Sequence, residues 1–103
     1  RHYNPPPWYY VGLFAAAMMR DNIADASEAL RYLDRYEHTF AVRYVLAAAY
    51  NARIKRIDRA HALWAQATRE QPLLRISPDG FFERLPMAPK VRSRLRAWLA
   101  PVM

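Results

Sequence analysis

Residues 57–72 read IDRAHALWAQATREQP, and their spacing decides the fold. Ala60, Trp64 and Ala67 stand at i, i+4 and i+7, so they share one face of a helix. Pro72 follows, where a helix cannot easily continue. A stripe of small, large aromatic and small residues lets a second helix approach closely at both ends while the aromatic fills the middle. The same frame occurs 34 residues earlier: Ile23 answers Ile57, Ala26 answers Ala60, Leu30 answers Trp64 and Leu33 answers Ala67. Upstream in the same register, Tyr10 answers Tyr44 and Leu13 answers Ala47. A period of this length with two helices per unit marks a helical repeat. It sets the architecture and names no partner.

Working outward, Asn4 and three prolines open the first helix, A1, expected over about 7–20. Its stripe is Tyr10, Leu13, Phe14 and Ala17. Asp21-Asn22 breaks it, and Asn22 is placed to cap the next helix with Asp25 in its first turn. Helix B1 is expected over 23–36, with Ile23, Ala26, Leu30 and Leu33 inward. On its outer side Arg31 can pair weakly with Glu28 and Asp34. His38-Thr39 is the next break, with Thr39 as N-cap. Helix A2 is expected over 40–53 and carries Ala47-Ala48-Ala49, which permits close helix contact. B2 follows over 57–70. Beyond Pro72, Leu73 to Ile76 reads as an apolar connector, and Ser77-Pro78-Asp79 as a cap, a proline at N1 and an acid. A short helix from Pro78 to about Leu85 and a last helix over 89–99 complete the chain.

The expectation is therefore an all-α chain of antiparallel helical hairpins. Repeat 1 covers about 7–38, repeat 2 about 39–72, and capping helices about 77–100. A chain of 103 residues is one domain or part of one, and its uncharacteristic start at Arg1 predicts a fragment of a longer protein. The only glycines are Gly12 and Gly80, which argues against turn-rich β architecture and Gly-rich phosphate loops. No cysteine is present, so disulfides and thiolate metal sites are excluded. The longest uncharged run, Tyr3 to Met19, is short for a bilayer span and reads as a buried helix. No signal peptide is visible, and a cytoplasmic location is expected.

These hairpins resemble tetratricopeptide repeats. Ala60, Trp64, Ala67 and Pro72 stand at the spacing of the second half of that motif, and Tyr44, Ala47 and Ala48 stand where it has Trp, Leu and Gly. The first unit departs from it at Phe14 and His38. The resemblance covers about 7–72 and implies an α-α superhelix that binds proteins or peptides. A second likeness rests on the opening Asn-Pro-Pro-Pro-Trp-Tyr-Tyr and on the tail runs Phe81 to Pro86 and Arg94 to Leu99. It is similar to the C-terminal end of bacterial multidomain signalling proteins, in which a class III adenylate/guanylate cyclase domain or a winged-helix regulator precedes such repeats. Any cyclase chemistry then belongs to residues outside this chain.

No catalytic constellation accompanies the repeats. His2, His38 and His61 have no ligand spacing, and Asp58 with His61 lacks a third ligand. Ser27, Ser77 and Ser93 lie in no nucleophile elbow. No metal or cofactor is implied. The tetratricopeptide frame turns the A helices toward a concave side. That side carries Trp8, Val11, Ala15, Met18 and Met19 from A1, and Val42, Val45, Ala49, Ala52 and Arg53 from A2. It is apolar and Met-bearing, suited to an apolar helix or extended peptide, unless the tail, upstream repeats or a second copy cover it. Only Arg53 could clamp a peptide carboxylate there.

Charge is uneven. Residues 51–103 hold eleven basic and four acidic side chains, against five and five in residues 1–50, so the net charge of +7 lies entirely in the second half. The last helix bears Lys90, Arg92, Arg94 and Arg96, a patch that could touch nucleic acid or anionic lipid. Its apolar stripe of Val91, Leu95, Trp98 and Leu99 instead favours packing on B2, with the arginines in water and Trp64 enclosed between A2 and the tail. The leading expectation is a non-catalytic module for protein–protein contact or self-association, with a homodimer through the outer side of A1 and B1. Nucleic-acid binding through the basic second half is the alternative.

Overall fold

The computed structural model describes residues 5–36, 41–85 and 87–103. Among these residues the chain is helical without strands: α1 (Pro7–Met19), α2 (Ile23–Leu33), α3 (Val42–Arg53), α4 (Ile57–Glu70), α5 (Leu73–Ile76), α6 (Pro78–Glu83) and α7 (Pro89–Leu99). The expected starts at Pro7, Ile23, Ile57, Pro78 and Pro89 hold. Leu73 to Ile76, read as an apolar connector, is a single helical turn that buries Leu74. His38 and Thr39 lie outside the described residues.

The 34-residue period is written into the backbone. At the end of α1 the amides of Arg20, Asp21 and Asn22 donate to the carbonyls of Ala16, Met18 and Ala17. At the end of α3 the amides of Ile54, Lys55 and Arg56 donate to Tyr50, Ala52 and Asn51, each 34 residues further on. Both ends have the six-to-one and five-to-two bonds of a Schellman motif, with the residue after the cap left-handed: Asp21 at φ 60° and Lys55 at φ 71°. Burial follows the same offset. Val11, Phe14, Ala15, Ala17 and Met18 of α1 are buried, as are Val45, Ala48, Ala49, Asn51 and Ala52 of α3. Ala26 and Ala60 are fully enclosed one turn into α2 and α4.

Local chemistry sets the helix starts. Asn22 accepts from the Asp25 amide at 3.1 Å, the expected cap. Ser77 makes no side-chain cap, contrary to expectation; its carbonyl accepts from Gly80 and Phe81 instead. The position of a Gly80 Cβ would meet the Ser77 Oγ at 3.0 Å, so the missing side chain leaves that hydroxyl room. Gln71, before Pro72, is extended at φ −136° and ψ 91°, as the proline ring requires, and it stops α4.

Each hairpin packs within itself, α1 on α2 and α3 on α4, and α3 also packs on α2 and α1 of the preceding hairpin. The tail departs from expectation. α7 makes no contact with α4; it packs on α3 and α1, with α6 beside it. The physical reason lies in side-chain size. α1 and α3 bury several alanines, Ala15, Ala17, Ala48, Ala49 and Ala52, and small side chains let a neighbouring helix approach closely. Leu95 and Leu99, both enclosed, project from the helix that packs on α1 and α3. Phe81, Phe82, Leu85 and Val102 extend the same core. Trp64, expected to be enclosed between α3 and the tail, is half-buried and lines an open pocket with His61, Leu74, Val102 and Met103.

Candidate functional site

Two surfaces were expected to carry function, and the fold treats them differently. Of the A-helix residues, Val11, Ala15, Met18, Val45, Ala49 and Ala52 are buried in the core where α1, α3 and α7 meet. Met19 and Val42 are half-buried at its margin. Trp8 projects into solvent at 63% exposure. Arg53 is bound to the carboxylate of Asp21 on the preceding hairpin, so it is not a free clamp for a peptide terminus. That pair ties the two equivalent helix ends together.

The basic residues of α7 are also largely engaged. Arg92 donates to the Met87 carbonyl at 2.7 Å. Arg94 lies over the Trp98 ring, its guanidinium carbon 5.4 Å from the ring centre. Arg96 pairs with Asp79 of α6 at 2.9 Å. Lys90 alone of the four is exposed with no partner. Arg92 and Arg96 thus tie the last helix to its surroundings, while the Arg94–Trp98 contact lies within α7.

A surface with less prominence in the sequence is built by α1 and α2. α1 has no charged residue among its 13. A helix apolar on all sides is normally covered on all sides. Here Trp8, Tyr9 and Leu13 are exposed at 63%, 45% and 44%. Gly12 lies between them, and nothing stands within 4 Å of where its Cβ would be. The equivalent position in the second hairpin is Leu46, which is fully buried. α3 has a preceding hairpin to pack on, and α1 has none among the described residues.

Beside this face a cleft of about 310 Å³ is lined by Tyr10, Leu13, Ala16 and Tyr32, with Arg20, Asp25 and Glu28 at its polar edge. Tyr10 is held rigidly. Its ring stacks on Tyr32 at 5.1 Å and 11°, tilts against Tyr36 at 6.0 Å and meets Tyr9 edge-on at 5.2 Å. The Tyr36 hydroxyl donates to the Pro5 carbonyl, which fastens the approach to α1. Partial burial first, then the phenols of Tyr36, Tyr32 and Tyr9, raise the Tyr10 pKa above its ordinary value. Tyr32 lies in the last turn of α2 and Tyr36 four residues on, just past its end, and that i, i+4 spacing was the available signal for the cluster.

No three His, Asp or Glu side chains among the described residues stand together as a metal site. No helix of the described residues is long and apolar enough to cross a membrane. No family model, curated protein or solved structure matches the chain.

Proposed function

We propose that this chain is a non-catalytic interaction module of tetratricopeptide type, and that it self-associates through the outer face of α1 and the adjoining α1–α2 cleft. The observation that carries the reading is the contrast at one repeat position: Leu46 is fully buried, while Gly12, its equivalent, stands open. The surrounding face offers Trp8, Tyr9 and Leu13 and no charge within α1. Two such faces can meet about a two-fold axis without bringing like charges together. The open backbone at Gly12 permits close helix approach. The tail likeness adds the proposal that the module serves a larger bacterial signalling protein of cyclase-like type.

Sedimentation equilibrium over a wide concentration range tests the association. A concentration-dependent dimer is expected, and Leu13→Glu, at an exposed position, should leave a folded monomer. A wild-type chain that stays monomeric at the highest concentration would overturn the self-association. The alternative, nucleic-acid binding through Lys90, Arg92, Arg94 and Arg96, has weaker support because three of these four are already engaged within the chain.

A further inference from the structure

Three of the unpartnered cations among the described residues, Arg31, Arg56 and Arg59, line a trough beside α3. A cleft of about 440 Å³ runs between α2, α3 and α4. Its lining holds Arg31, Arg43, Arg56 and Arg59, against the single acid Asp34. Arg43 is committed: it donates to the Tyr36 carbonyl and the Tyr44 hydroxyl and lies over the Tyr44 ring. Arg31, Arg56 and Arg59 are exposed, and their side chains make no hydrogen bond, ion pair or ring contact among the described residues. The expected pairing of Arg31 with Glu28 or Asp34 does not form. The free cations stand on both banks, Arg31 on α2 and Arg56 and Arg59 at the start of α4. Between them the floor is apolar, made of Leu30, Ala47, Ile54 and Leu63.

We propose that this trough binds an acidic peptide segment that also carries apolar side chains. Cations on opposite banks match carboxylates projecting to both sides of an extended or helical segment. The apolar floor matches side chains directed between them. The trough is open along its length, whereas a small-molecule site encloses most of its ligand. A nucleic-acid strand fits less well. The Tyr44 face that would stack a base is occupied by Arg43, and phosphates gain nothing from Leu30, Ile54 and Leu63. This surface is separate from the outer face of α1, so the inference stands whether or not the chain self-associates.

Fluorescence anisotropy on the full chain tests it, with a fluorescein-labelled peptide alternating Glu and Leu as the probe. The comparison probes are the same peptide with Leu replaced by Ser, the same peptide with Glu replaced by Lys, and a labelled single-stranded oligonucleotide. Saturable binding of the Glu/Leu peptide is expected, weakened on raising salt from about 0.05 M to about 0.5 M as screening shortens. The triple variant Arg31→Ala, Arg56→Ala, Arg59→Ala should bind at least roughly tenfold more weakly, a change of one decade in Kd. Its thermal melt should stay close to wild type, because the three exposed side chains have no hydrogen bond, ion pair or ring contact to lose. Lys90→Ala should bind as wild type does. Leu13→Glu should also bind the peptide, which separates failure of the trough from failure of self-association. Wild-type affinity in the folded triple variant would overturn the proposal. So would equal binding of the Glu/Ser peptide, or an oligonucleotide that binds more tightly and displaces the Glu/Leu peptide.

Discussion

Lys55 offers a measurement that bears on the repeat itself. It occupies a left-handed conformation at φ 71°, immediately past the end of α3. A non-glycine residue there costs about 1–2 kcal/mol from the clash of its Cβ with the following carbonyl. Replacement by glycine removes that clash and adds unfolded-state entropy worth roughly 0.5–1 kcal/mol in the opposite direction. Lys55 is exposed and has no partner, so nothing else is lost. Lys55→Gly should therefore raise the unfolding free energy by about 0.5–1 kcal/mol. The assay is urea denaturation followed by circular dichroism, with a higher midpoint and an unchanged slope. In a thermal melt, each kcal/mol corresponds to a rise of about 4–8 °C for a domain of this size. Asp21 is the internal comparison. It has the same conformation 34 residues earlier, but Asp21→Gly also breaks the exposed pair with Arg53. That loss offsets up to about 1 kcal/mol, so its net change should be smaller than that of Lys55→Gly. Lys55→Val, which places a branched Cβ in the left-handed region, should destabilise. If Lys55→Gly failed to stabilise while Lys55→Val was tolerated, the paired helix ends would not exist and the 34-residue backbone repeat would fall with them.

Two further outcomes follow from the packing and the tyrosine cluster. Leu95→Ala should cost about 2–5 kcal/mol as an enclosed leucine, and hydrogen exchange should show loss of protection in α3, on which α7 packs. Trp64→Ala should cost less than a fully buried tryptophan, about 2–3 kcal/mol for a ring half out of water, with α3 protected as in wild type; equal effects on α3 would refute the docking of α7. The raised Tyr10 pKa means that the folded state favours the neutral phenol. Its contribution is complete below the unfolded pKa of about 10 and is lost as pH rises through the higher folded value, so stability should fall in that alkaline window. Tyr10→Phe should flatten the fall, and an unchanged pH profile in that variant would assign the loss to other groups.

Periodicity made the inner geometry legible. The stripe at Ala26 and Ala60 and the breaks at Asp21 and Lys55 are local consequences of helical spacing, and local spacing is what a sequence displays. Where α7 docks is not local. Its stripe of Leu95 and Leu99 announces a buried face, yet the end of α4 and the side shared by α1 and α3 are both apolar enough to receive it. The alanines buried on α1 and α3 favour the second, because small side chains let two leucines enter at close range. Ala15, Ala49 and Ala52, with Val11, Met18 and Val45, looked like a ligand groove when viewed one helix pair at a time. With α7 in place they are buried, and large apolar side chains stay exposed on the outer face of α1 at Trp8, Tyr9 and Leu13. That surface is marked by departures from the period. Gly12 stands where Leu46 is buried, and Trp8 where Val42 is half-buried. A residue that breaks the repeat no longer serves the contact its equivalent makes, so positions 8 and 12 are where selection for a different neighbour would act. Substituting Leu at Gly12 is thus a sharper probe of that neighbour than any change to the repeated residues, since Cβ space there is free and only a molecule seated on α1 would register the added bulk.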